Sequence, residues 1–334
     1  SSDDDSSTNS VIIEDDEPNI PKHRLCREEQ QEVFNLVESI KAKPDNHNDI
    51  IKYFTKLNHP RYDYLHTYIC DSITDTEDRL TVPYYYQIEA CRCAIDDFKT
   101  SDLLMLSLPC GTGKTFTSWL VAGNYSGVII VSPLRALALQ NLNAFKEYND
   151  MYLLPKTYWL IDSDSSGTTL KEDVNKALST ENVVISTTYD SIYLFEELEN
   201  YSNFLVIIDE FHNISRNVIY DDTDTFNEVL FSTNNKKLLL SATPRIYDDG
   251  DYCELNSNYK MTYKLSFNEA LKSKHICDYK LFFPDFGSDG NVERIEYSCS
   301  MKKIDKDVIG KIDFLNSGFQ SLGFKKCIAY FEDT

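Results

Sequence analysis

The stretch Ser107-Leu108-Pro109-Cys110-Gly111-Thr112-Gly113-Lys114-Thr115 limits what this chain can fold into more than any other. A glycine loop of this kind works between a strand and a helix, where its backbone N–H groups and the helix N-terminus converge on a phosphate. Leu103-Leu104-Met105-Leu106 supplies a buried strand before it. Phe116 to Asn124 carries apolar residues at helical spacing after it, with Gly123-Asn124 as a stop. Cys110, Gly111, Thr112 and Gly113 then form the phosphate cradle, Lys114 reaches the β- and γ-phosphates, and the Thr115 hydroxyl holds Mg²⁺. One position departs from the general pattern: Leu108 stands where the first glycine is usual.

Beyond the loop, strands and helices alternate as a parallel α/β sheet requires. The strands expected are Val128–Ser132, Tyr158–Ile161, Val183–Thr187, Leu205–Asp209 and Lys237–Ser241, with helices over about 135–148, 168–179 and 189–200. Right-handed crossovers bring the functional loops to the carboxyl ends of the strands, all on one edge of the sheet. Before the loop, Pro83-Tyr84-Tyr85-Tyr86-Gln87 leads into a helix over Ile88 to Phe98. There the Gln87 amide is suited to pair with an adenine edge, and a neighbouring tyrosine to stack on the ring.

The chemistry falls at that carboxyl edge. Phe204 to Ile208 is an apolar strand ending in two carboxylates: Asp209 is placed to share Mg²⁺ with Thr115, and Glu210 to orient and polarise an attacking water. Leu238 to Leu240 runs into Ser241-Ala242-Thr243, whose small hydroxyls can bond His212 and pass on the state of the nucleotide site. Pro133 and Arg135, and Thr187 and Thr188, close two further strands. Their hydroxyls, N–H groups and guanidinium suit the phosphates of a nucleic-acid strand laid across the edge.

Composition restricts the partners. Net charge is −21, from 33 basic and 54 acidic residues, which excludes general electrostatic coating of nucleic acid or of anionic membrane. Residues 1–20 are acidic and Ser/Asp-rich and read as a solvated tail or linker, yet the rest still carries 47 acidic against 33 basic residues. A nucleic-acid track must therefore be a confined groove. No apolar run approaches the ~20 residues of a membrane helix and no signal-peptide pattern opens the chain. It reads as soluble and intracellular, with no membrane partner. Nine cysteines without a C-x₂-C pair argue against a disulfide framework or zinc site, and Cys110 inside the phosphate loop suits a reducing compartment.

The organisation expected is a tail over 1–20, a small helical region over 21–80, the ATP-binding domain over 81–262 and the start of a second domain over 263–334. The helical region shows periodic runs at Glu28–Ile40, Asp49–Leu57 and Tyr62–Ile69. Ser266 is a plausible cap for a short helix ending near Leu271. Ile276–Phe283 and Lys326–Phe331 read as strands, Asp305–Leu322 as a helix, and 284–303 as a surface insertion. With no initiator Met and an apolar strand at its end, the chain reads as a piece of a longer protein.

GTGKT, SPLRALALQ, STTYDS, DEFH and SATP, in this order and spacing, resemble motifs I, Ia, Ic, II and III of superfamily 2 helicases of the DExH type, and Gln87 resembles their Q motif. The match covers residues 83–245. It implies a RecA-like parallel sheet flanked by helices, preceded by the small helical region and followed by the start of a second RecA-like domain. By resemblance Lys114, Asp209 and Glu210 are catalytic, ATP and Mg²⁺ are the ligands, Ser241 and Thr243 are coupling residues, and Arg135 and Thr187 contact nucleic acid, single-stranded DNA before RNA. The loop sequence with DEFH is similar to helicases of large DNA viruses and to restriction-system motors, which would place the protein in the cytoplasm, a virus factory or a virion. In the resembled family the arginine finger sits in motif VI of the second domain, and nothing in residues 245–334 matches it. This stretch of chain is therefore expected to bind Mg-ATP but turn it over weakly alone. Two other readings stay open: a nucleic-acid-stimulated ATPase that remodels complexes or drives a restriction motor without unwinding, and a protein-docking module of a replication or transcription assembly.

Overall fold

Short unbroken runs of Leu, Val and Ile make strands whose two faces are both covered, the pattern of a parallel sheet. The structure, a computed structural model, describes residues 26–41, 66, 68–70, 81–152, 154, 156–163, 167–195, 198–201, 203–214, 228–229, 234–243 and 259–277. Its strands are β1 (Leu103–Ser107), β2 (Gly127–Ser132), β3 (Thr157–Ile161), β4 (Val183–Thr188), β5 (Phe204–Ile208), β6 (Lys236–Ser241) and β7 (Lys260–Lys264). They form one sheet in the order β3-β4-β2-β5-β6-β1-β7, with every neighbouring pair parallel. The helices are α1 (Arg27–Lys41), α2 (Tyr85–Asp97), α3 (Lys114–Ala122), α4 (Arg135–Met151), α5 (Lys171–Leu178) and α6 (Phe267–Lys272). This is a RecA-like α/β sheet flanked by helices.

Alternate residues of each strand face opposite sides. Leu104, Leu106, Val128, Ile130, Leu205, Ile207, Leu238 and Leu240 pack with α2, α3 and α4; Met105, Ile129, Val131, Val206, Ile208 and Leu239 pack with α5 and the segment after β4. Trp119, fully buried in α3, stacks on Phe116 and Tyr152 and donates its indole N–H to Asn149 Oδ1 at 3.0 Å.

The segment over 189–200 differs from expectation. It forms 3₁₀ turns at Tyr189–Phe195 and Leu198–Asn200, not an α-helix. Ile192, Phe195 and Leu198, all buried, recur every third residue, which matches three residues per turn. Thr188 Oγ1 also donates to Ser191 Oγ at 3.1 Å across the entry to these turns.

β7 was not expected, and it moves a boundary. It pairs with β1, and Leu265 N donates to Ser107 O at 2.9 Å, so this strand belongs to the first sheet. The first compact unit runs through Ile276, past the expected limit at residue 262. Within it, α6 carries the Ser266 cap, whose Oγ accepts from Glu269 N at 3.1 Å in a capping box. The tail over 1–20, the helix at Asp49–Leu57, the insertion at 284–303, the helix at Asp305–Leu322 and the strand at Lys326–Phe331 lie outside the described residues, as does most of the strand at Ile276–Phe283. Among the described residues no helix is long and apolar enough to cross a membrane, and no disulfide joins two cysteines.

Lys237 is buried within β6, in register with Leu103. Burial pulls its ammonium down to about 8, which Asp102 opposes and Lys236 reinforces. Above that pH the unfolded chain still binds a proton that the folded chain has released, so this residue makes stability rise with pH from about 8 toward the ordinary lysine range. Lys237→Met is expected to remove that contribution. Thermal melts of both proteins between about pH 7 and 10 check it, the difference in melting temperature shrinking as pH rises.

Candidate functional site

The strand order sets the site. At the carboxyl edge β5 stands between β2 and β6, and β6 pairs with β1, so Asp209 falls between the end of β2 and the phosphate loop. The loop needs glycine at two turns, Gly111 at φ 82° and Gly113 at φ 75°, both in the left-handed region. A Cβ on Gly113 would lie 2.6 Å from Gln87 Nε2. Leu108, where glycine is usual, is buried with Tyr86, Leu265 and Ala270; its side chain serves a small satellite core.

The loop is braced from behind. Thr112 O accepts from Tyr86 OH at 2.6 Å and from Gln87 Nε2 at 3.0 Å, and Thr112 Oγ1 donates to Pro109 O at 2.6 Å. Gln87 Oε1 accepts from Tyr84 N at 2.9 Å. Gln87 is thus buried with both ends of its amide on the protein main chain. Tyr84 is partly exposed and stacks on His66, with centroids 4.4 Å apart.

Lys114 opens α3 and reaches Glu210 Oε1 at 3.3 Å. Glu210 follows the tip of β5 at φ 49°, a left-handed conformation that costs a non-glycine residue energy. Its Oε2 is buried and makes no hydrogen bond, although His212 Nδ1 stands 3.3 Å away. His212 Nδ1 also lies 3.3 Å from Ser241 Oγ, which accepts from Thr243 N at 3.2 Å. Glu210, His212, Ser241 and Thr243 therefore form one connected row.

Asp209 is buried. Its Oδ2 accepts from Asn141 Nδ2 at 2.9 Å and its Oδ1 from Glu210 N at 3.0 Å. Burial raises its carboxyl above the usual range and Glu210 adds to this; the Asn141 bond and Lys114 oppose it. The Thr115 hydroxyl donates to Asn141 Oδ1 at 3.4 Å, so Thr115 and Asp209 meet through one amide. Two hard oxygen donors suit Mg²⁺, which keeps several waters and takes few protein ligands. Among the described residues no group of three or more His, Cys, Asp or Glu could hold a metal ion. The donor set and the unbonded Glu210 oxygen fit the ion.

The nucleic-acid candidates divide. Arg135 is exposed at the start of α4, where it donates to Ser163 Oγ, and Pro133 is half-buried. Thr187 is fully buried with its hydroxyl donating to Ile161 O at 2.8 Å, and Thr188 is buried with its own on Ser191. The expectation that these hydroxyls grip a phosphate is corrected: both donate within the fold. Asn141 and Tyr189, which donates to Asp209 O, were not expected at the site.

The profile of the type III restriction enzyme res subunit matches residues 80–246, half of the chain. The chain belongs to this family. It carries the first RecA-like domain of a superfamily 2 helicase-type motor, as the motif order implied. Among curated proteins it is similar to the probable helicase of African swine fever virus, with 27% identity over 225 residues, 62% of this chain and 24% of that protein. The chain thus spans about a quarter of the length of the curated relatives it matches. Two solved structures of type ISP restriction-modification enzymes are also similar. LlaBIII bound to DNA covers 60% of this chain and 16% of its own, at 20% identity and TM-score 0.48; LlaGI with a DNA substrate mimic covers 70% and 24%, at 22% identity and TM-score 0.44.

Proposed function

We propose that this chain is the ATP-binding lobe of an ATP-driven motor that moves along nucleic acid, with single-stranded DNA as the favoured track. The observation that carries the reading is the convergence of Lys114, Thr115, Asp209 and Glu210 at the mouth of one glycine loop. Lys114 supplies the cation for the phosphate chain, and the N–H groups at the start of α3, after the left-handed Gly113, supply neutral donors. Mg²⁺, when bound, would neutralise phosphate charge from Thr115 and Asp209. Glu210 orients the attacking water with Oε2, the oxygen that has no bond to give up. Gln87 and Tyr84 flank the loop where the adenine would lie, Gln87 through the amide hydrogen not spent on Thr112. His212, Ser241 and Thr243 connect Glu210 to the next strand end, the coupling role proposed for them.

Arg135 is the proposed nucleic-acid contact, since it is the exposed cation at the β2 end of the edge. In the whole protein, single-stranded DNA is expected to raise ATP hydrolysis. Arg135→Ala is expected to weaken that stimulation, raising the DNA concentration for half-effect by about three- to tenfold while hydrolysis without DNA stays as it was. Hydrolysis indifferent to DNA and RNA would contradict the motor reading. The restriction-subunit family match favours a second reading, a nucleic-acid-stimulated ATPase that drives a restriction motor without strand separation, which a forked-substrate assay distinguishes.

A further inference from the structure

α4 presents Ala138, Leu142, Phe145 and Asn149 to the core, and Asn141 sits in the same buried stripe. A buried primary amide is costly unless its hydrogens and oxygen are all used. Here they are. Asn141 Nδ2 donates to Ser132 Oγ at 3.0 Å and to Asp209 Oδ2 at 2.9 Å, while Oδ1 accepts from Thr115 Oγ1 at 3.4 Å. A carboxylate can only accept, so the amide nitrogen must face Asp209, and the carbonyl oxygen is thereby turned to Thr115.

That orientation has a consequence for both partners. The Thr115 hydroxyl spends its single hydrogen on Asn141, which leaves its lone pairs for a cation. Asp209 is pinned through one oxygen to Asn141 and through the other to the Glu210 N–H, so its carboxylate plane is fixed while each oxygen keeps lone-pair capacity. We propose that Asn141 is a positioning residue that sets Thr115 and Asp209, from opposite sides, at the spacing and orientation one divalent cation requires. It touches neither substrate nor ion and acts through its two neighbours, as partners behind metal ligands commonly do. It also rides on the helix that begins at Arg135, less than two turns from the proposed nucleic-acid contact.

The inference rests on the ATP-site reading, and its test separates the two. Mn²⁺ binding to the chain with a fluorescent ATP analogue is followed by electron paramagnetic resonance, and binding of the same analogue without metal by fluorescence. Asn141→Leu keeps the volume and removes every hydrogen bond; Asn141→Ser keeps a polar group too short to span both partners. Either variant is expected to weaken Mn²⁺ binding by about tenfold or more, with metal-free affinity for the analogue within about twofold of the parent. Thermal melting identifies the variant that retains the fold, and that variant supplies the measurement. Mn²⁺ affinity equal to the parent's would overturn the proposal, as would equal losses with and without metal, the mark of a general structural role. A parent chain that binds the analogue without any response to Mn²⁺ would overturn the ATP-site reading itself.

Discussion

Lys114→Ala is expected to reduce ATP affinity by about a hundredfold or more and to bring hydrolysis by the whole protein to background. The ammonium is about nine-tenths buried and faces Glu210 at 3.3 Å, in a site that otherwise presents two carboxylates to an incoming polyanion. Without it, Asp209 and Glu210 would repel the phosphate chain with no cation from the loop to offset them. The loop backbone does not depend on this side chain: it is shaped by Gly111 and Gly113 and held by Tyr86 and Gln87 through Thr112 O. A melting curve close to the parent's is therefore expected alongside the lost binding. Retained affinity in a folded variant would mean that Lys114 is a structural ion-pair partner.

Glu210→Gln is expected to separate binding from turnover. Hydrolysis should fall by about 10²–10⁴-fold, the range for loss of a positioned acid–base group, while ATP binds at least as tightly. The amide keeps the shape and the left-handed backbone strain of the parent at φ 49°, so little besides the charge is altered. Because Lys114 is paired with Glu210 when the loop is empty, the neutral side chain also releases the lysine for phosphate. Measuring ATP affinity and steady-state hydrolysis on the same preparation checks both halves. Loss of binding together with turnover would place Glu210 in the scaffold of the loop.

The two variants rest on residues that were readable because their chemistry is local. A glycine loop between strand and helix, and a carboxylate pair at a strand tip, declare themselves within about ten residues, and the fully buried strands declare themselves by unbroken Leu, Val and Ile. What escaped depends on contacts distant in sequence. Asn141 bonds Asp209 across 68 residues, and nothing in a helix of mixed polarity marks the one asparagine that meets that carboxylate. Tyr189 reaches Asp209 O across 20 residues. β7, Lys-Met-Thr-Tyr-Lys, is a half-exposed edge strand with charges at both ends, so it lacks the apolar run that identified the others. The hydroxyls of Thr187 and Thr188 have the right chemistry for phosphate, and burial rather than residue type removes them.

Calorimetric titration of ATP into this chain, with and without Mg²⁺, asks whether the loop and the β5 tip form one Mg-ATP site. One site per chain is expected, tightening with Mg²⁺ in the parent and lost in Lys114→Ala. No binding by the folded parent, or binding indifferent to both Mg²⁺ and Lys114→Ala, would contradict it.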